Sequence, residues 1–187
     1  MATSKRDHLV DTALKLFYRD GFHATGIDKI LAESGVAKMT LYKHFKSKDE
    51  LILAVLRQRD EQFRNDFMRD VERRTKETRE RLLVLFDVLD EWFRSRTFSG
   101  CLFINAAAEY PEPDNPIHMA CAEHKRLILQ YVIKLAKAAG AAKPDALAHG
   151  LILLMEGAVI AFYVANQSDA TAQAKEAAKA LLENAGL

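Results

Sequence analysis

At 187 residues the chain can hold one compact domain, or a small domain joined to a larger one. Eight Gly and four Pro among abundant Ala, Leu, Lys and Glu predict an almost wholly helical chain, and two cysteines, Cys101 and Cys121, are too few for a disulfide scaffold or a zinc ribbon. The net charge of +1 is too low for a sequence-indifferent DNA-packaging protein, yet it is unevenly spread: residues 1–48 carry nine Lys/Arg against five Asp/Glu, and the remainder 18 against 21.

Three capping patterns mark helix starts near the N-terminus: Ser4-x-x-Asp7, Thr25-x-x-Asp28 and Ser47-x-x-Glu50. Lys5, Arg6, Asp7 and His8 lead into an amphipathic stretch rather than the apolar core of a secretion signal, and a reducing cytoplasm is expected. The first helix is expected over 5–20, ended by Gly21, the second over 27–34 and the third over 38–44. A fourth starts near Lys48 and meets no breaker until about Arg74, with Phe63, Phe67 and Val71 as its later inner stripe. A fifth is expected over 77–96, and a short sixth over 101–109, stopped by Pro111 and Pro113. Asn115-Pro116 is a cap followed by a first-turn proline and opens a helix to Ala139. Pro144 opens the next, to about Asn166, and the last is expected over 169–184. The stretch 147–165 is long enough to span a bilayer, but His149 and Glu156 within it favour a buried helix, so no membrane is expected. The expectation is all-α, about nine helices, with an N-terminal helix-turn-helix over 1–48, a helical body over 49–187, and the fourth helix as the joint.

Residues 25–48 have the pattern of a helix-turn-helix, whose second helix lies in the DNA major groove. Leu41 and Phe45 lie one turn apart and anchor the third helix inward. Met39, Thr40 and Lys43 fall on the opposite side, with Tyr42 and His44 flanking. A thymine methyl, base-edge acceptors and phosphate oxygens call for such groups. Lys38, Met39, Thr40, Lys43 and His44 are candidate base readers, and Thr25, Tyr42, Lys46 and Lys48 candidate positioning contacts. Thr25 is expected to cap the second helix and offer its hydroxyl or backbone N–H to a phosphate.

The block Gly21-Phe22, Ala24-Thr25, Ile30, Gly35-Val36, Leu41-Tyr42, His44-Phe45-Lys46-Ser47-Lys48 and Leu51 closely resembles the N-terminal domain of the TetR family of bacterial transcriptional regulators. The resemblance implies a two-fold dimer with one helix-turn-helix per subunit, a double-stranded DNA operator as partner, and a pocket in the C-terminal domain whose small-molecule occupant releases the DNA. Three positions depart from the family's common pattern. Ala37 stands where a Ser often caps the recognition helix, Met39 where Gly is frequent, and Gly26 where Ser or Thr is frequent. The operator sequence therefore does not carry over from a relative.

For the body, Leu89, Trp92, Phe93, Phe103, Tyr110, Met119, Met155 and Phe162 are candidate apolar contacts to a small, largely apolar effector. Asn105, His118 and Glu156 are candidate polar contacts on the same segments, and Glu109 and His124 are further polar groups in need of partners. His118, Cys121 and His124 recur every three residues, which invites a metal-responsive reading, and Cys101 with Cys121 a redox-responsive one. Steps of three drift by about 60° each around a helix, so three ligands from one helix converge poorly, and no metal or cofactor is expected. No Gly-rich phosphate loop, H-E-x-x-H or nucleophile–base pair marks an enzyme, and a helical-bundle enzyme or small-molecule carrier is the weaker alternative. The last two helices offer small residues for a homodimer face: Leu151-Ile152 and Gly157-Ala158-Val159 on one, and Ala174, Ala177, Ala178, Leu181 and Leu182 on the other.

Overall fold

In the computed structural model, which describes residues 4–187, Ser4 opens the first helix by accepting a bond from the Asp7 N–H at 3.1 Å. The described residues form nine helices and no strand. They are α1 (Lys5–Asp20), α2 (Ile27–Ser34), α3 (Lys38–His44), α4 (Lys48–Arg74), α5 (Thr78–Phe93), α6 (Leu102–Glu109), α7 (Pro116–Ala139), α8 (Pro144–Tyr163) and α9 (Ala170–Asn184). The chain divides into two compact units. One comprises residues up to Gln62 together with Cys101–His124, and the other comprises Phe63–Gly100 and Lys125–Leu187.

In the first unit α1 packs on α2 and α3. Leu9, Val10, Ala13, Leu16 and Phe17 line the buried face of α1, as the 3.6-residue period requires. Gly35 ends α2 in the left-handed region at φ 65°, which a glycine adopts without a Cβ penalty, and so makes the turn between α2 and α3. Leu41 is fully buried and Phe45 nearly so, which fixes which face of α3 points outward. The cap expected of Thr25 is corrected: Gly26 is the N-cap of α2, and Thr25 is completely buried, with its hydroxyl unbonded among the described residues. At the start of α4, Ser47 Oγ accepts from the Glu50 N–H at 3.2 Å, and Glu50 reaches back to the Lys46 N–H at 2.8 Å.

In the second unit α9 lies against both α8 and α5, and α5 against α8. Leu82, Leu85, Phe86 and Leu89 of α5 are buried there. α5 ends at Phe93, three residues short of the expected end, because the chain turns to bring Phe98 onto Trp92 and Phe93, ring centroids 5.0 and 5.1 Å apart. α8 likewise ends at Tyr163, where Asn166 takes a positive φ of 54° and closes the end. Of the residues expected at a dimer face, Leu151, Ala158, Val159, Ala174, Ala178 and Leu182 are buried where α8 and α9 pack on each other, while Gly157 and Ala177 are exposed and Ile152 and Leu181 half-buried. What α8 leaves exposed is Leu153, Ile160, Tyr163 and Val164. This helix is long and apolar enough to cross a membrane by length and composition, and it packs on α9 and α5.

The units also differ from the expected division at residue 48. α6 and the first turns of α7 fold with the helix-turn-helix, while α4 and α7 each contribute residues to both units.

Candidate DNA interface and effector cavity

α3 presents its polar groups away from the core. Lys38, Lys43, His44 and Lys46 are exposed, Met39 is 82% and Tyr42 43% exposed, and Thr40 is half-buried. Ala37 is its N-cap and supplies only carbonyl bonds, to Thr40 and Leu41, so the first-turn N–H groups have no side-chain acceptor. Lys38 lies at the edge of an ion pair, 3.9 Å from Asp28. Lys48 is partly buried, and its Nζ reaches the His23 carbonyl at 3.5 Å. Burial lowers its pKa, and the nearby carboxylates of Glu109 and Asp49 offset part of that.

The turn between α1 and α2 is held by the last residue of α6. The Glu109 carboxylate accepts from the Phe22 N–H at 2.8 Å and the His23 N–H at 2.6 Å, while His23 Nε2 donates to the Glu109 carbonyl at 2.9 Å. Gly21 has φ 89° and ψ 164°, a region essentially restricted to glycine, and a Cβ there would stand 3.1 Å from Glu109 Oε1. The neighbouring Tyr110 ring lies against His23 and meets Phe22 edge-on, with centroids 4.8 and 6.4 Å apart. Burial, with Asp49 and Glu109 adding to it, pushes the Tyr110 phenol up to about 12. His118 Nδ1 in turn donates to the Tyr110 carbonyl at 2.8 Å. A continuous chain of contacts thus runs from α7 through Tyr110 and Glu109 to the turn that leads into α2.

One face of α4 and one face of α7 enclose a cavity of about 480 Å³ that opens to the surface. Leu53 and Leu56 form one wall, and Met119, Ala120 and Pro116 the other. Asp60 and His124 stand together in the lining, with His124 Nδ1 and Asp60 Oδ1 2.8 Å apart. The His124 ring is 4% exposed and stacks flat on Phe103, centroids 3.6 Å apart. Arg57 and Glu123, both exposed, complete the lining.

The residues expected to contact an effector divide between the units. Phe103, Asn105, Tyr110, His118 and Met119 belong to the first, and only Met119 lines this cavity. Leu89, Trp92, Phe93, Met155, Glu156 and Phe162 belong to the second. There Trp92, Phe93 and Phe162 join Phe98 in an aromatic cluster, and Glu156 is bound by Lys125 through both oxygens at 2.7 Å. The α4 side of the cavity, Leu53, Leu56, Arg57 and Asp60, is not among the expected effector contacts. Their spacing was the available signal. His118 and His124 each commit Nδ1, to Tyr110 and Asp60, and the described residues hold no group of three His, Cys, Asp or Glu able to take a metal ion. Cys101 and Cys121 are free thiols, both buried.

Two family models match the chain. Residues 9–55 match the model of bacterial regulatory proteins of the tetR family, and residues 78–178 match the tetracyclin repressor-like C-terminal domain. The structure of a TetR-family transcriptional regulator from Streptomyces coelicolor is similar at 32% identity and TM-score 0.90, covering 98% of this chain and 96% of that one. A tetR-type regulator from Streptomyces avermitilis is similar at 28% identity and TM-score 0.86, covering 99% and 100%. The HTH-type transcriptional regulator YjdC of Escherichia coli is 25% identical over 169 residues, 89% of this chain and 86% of its own.

Proposed function

Because the chain belongs to the TetR family of bacterial transcriptional regulators, DNA-binding and ligand-responsive proteins, we propose that it is a cytoplasmic homodimer that represses transcription from a palindromic operator until an effector occupies the cavity between α4 and α7. Regulators of this family bind DNA operators and small-molecule effectors, typically as dimers. The observation that carries the reading is the outer face of α3. Lys43, His44, Met39 and Tyr42 are exposed together opposite buried Leu41 and Phe45. Lys43, Thr40, Lys38, Met39 and His44 read base edges, while Tyr42, Lys46 and Lys48 position the head on phosphates. Thr25 contributes through its backbone N–H alone, since its hydroxyl is buried.

A single small head makes few DNA contacts, whereas two related by a dyad read half-sites one helical turn or a multiple apart. The exposed apolar residues of α8, Leu153, Ile160 and Val164, support pairing of two copies through that helix. Effector control follows from the contacts in the first unit. Pro116 and Met119 line the cavity, His118 lies between them in sequence, and its bond to Tyr110 leads to the Glu109 grip on the α1–α2 turn. An occupant that binds one arrangement of these contacts better than the other shifts the population of DNA-competent heads, and DNA shifts effector affinity by the same factor.

The test is a salt titration on a duplex selected from a random pool and on scrambled duplexes. The proposal expects tight, site-selective binding with a steep salt slope. Equal affinity for both duplexes would overturn it.

A further inference from the structure

We propose that the cavity between α4 and the first turns of α7 takes an amphipathic monocarboxylate, its apolar body against Leu53, Leu56, Met119 and Ala120 and its head group on Arg57. The inference rests on reading that cavity as the effector site. Its volume of about 480 Å³ is in the range that holds a small organic ligand. Its walls are aliphatic and thioether side chains, which reward an apolar body and give a fully polar metabolite nothing to bond.

The charged groups of the lining then decide the sign of the head group. Asp60 and His124 satisfy each other at 2.8 Å, and the imidazole is buried flat on Phe103. A carboxylate already engaged by a buried ring is a poor anchor for an incoming cation. Glu123 has an interaction of its own. Arg57 is different: it makes no hydrogen bond or ion pair among the described residues, and its position on α4 one turn beyond Leu53 places it on the same face as the apolar wall. A planar guanidinium offers two parallel N–H donors to a carboxylate, a geometry that a neutral hydroxyl fills only in part and an ammonium cannot fill. An aliphatic wall that ends in one uncommitted arginine selects an amphiphile with a single negative charge.

The test uses the full-length protein and calorimetric titration with three probes of equal chain length, decanoate, decanol and decylamine, each below its micellar range. Decanoate is expected to bind about tenfold or more tighter than decanol, the difference a charge-assisted hydrogen bond supplies, and decylamine more weakly than both. Arg57→Gln should bring decanoate down to the affinity of decanol, and Arg69→Gln, which removes another exposed charge outside the cavity, should leave it unchanged. Ala120→Trp, which fills the cavity, should abolish binding of all three while the melting transition is retained. Stronger binding of decylamine, no binding of decanoate, or an Arg57→Gln protein that keeps its decanoate affinity would overturn the inference. Selective duplex binding measured on the same preparation separates the two readings. If it persists without decanoate binding, only the assignment of the ligand falls; if it is absent, the regulator reading falls as well.

Discussion

Glu109 binds two consecutive backbone N–H groups that lie 87 and 86 residues away in sequence. No periodicity or motif rule connects the end of a short helix to a turn that far back, so this contact was out of reach of sequence reasoning, although Glu109 stood out as a polar residue in need of a partner. Replacing it tests how much the grip holds. Glu109→Gln loses the charge of both bonds and turns an amide N–H₂ toward a backbone donor, which should lower unfolding free energy by about 1–2 kcal/mol in urea titrations. An unchanged midpoint would show that the turn is held by other means. Gly21 belongs to the same device, since its backbone region excludes side chains and its missing Cβ leaves room for Glu109 Oε1. Gly21→Ala should cost about 1–3 kcal/mol by the same measurement. Arg57 shows the opposite case: its place on a face with Leu53, Leu56 and Asp60 is plain in the spacing, but that it makes no ion pair among the described residues appears only in the fold.

At the scale of the element, helix starts were more legible than helix ends. Starts carry side-chain chemistry that sequence displays: Ser4 on Asp7, Ser47 on Glu50, and Asn115 Oδ1 accepting from the Ile117 N–H at 2.8 Å. Ends depend on where the following chain goes, and Phe98 and Asn166 draw α5 and α8 to a close for tertiary reasons. Thr25 shows the limit of the start rule, since its hydroxyl is in the core and Gly26 takes the cap position. The recognition helix has the same gap, with Ala37 at its N-cap. The backbone there is already extended at φ −64° and ψ 143°, the conformation that a capping serine adopts. Ala37→Ser should therefore stabilise the protein by about 0.5–1 kcal/mol, read as a rise in melting temperature. A fall would mean that the exposed edge of α3 does not accept a side-chain cap.

For the whole molecule, the all-α fold and the helix-turn-helix at its head were legible because both rest on local patterns. The division into units was not, since it depends on where α6 and α7 settle once folded. The dimer face shows why an amphipathic pattern alone is ambiguous. Ala174, Ala178 and Leu182 form a regular apolar stripe that suits a partner subunit and suits α8 of the same chain equally well, and in the fold it is buried within the unit. Leu153 and Ile160 of the apolar α8 stay exposed, and the proposed pairing of two copies uses them. Leu153→Glu with Ile160→Glu should convert the dimer to a monomer in light scattering and reduce affinity for a two-half-site duplex by at least about tenfold, while leaving the circular dichroism spectrum unchanged. A dimer that survives both charges would move the interface elsewhere.

The claim on which the rest depends is that the outer face of α3 reads DNA sequence. It is tested most directly by measuring Lys43→Ala and Lys46→Ala against a panel of duplexes that vary one base pair of the selected operator at a time. Lys43→Ala should flatten discrimination at one position, at a cost of about 1–3 kcal/mol for the preferred base, while Lys46→Ala should weaken every duplex alike and lower the salt slope by about one. A Lys43→Ala protein with unaltered affinity and unaltered preference would contradict the account.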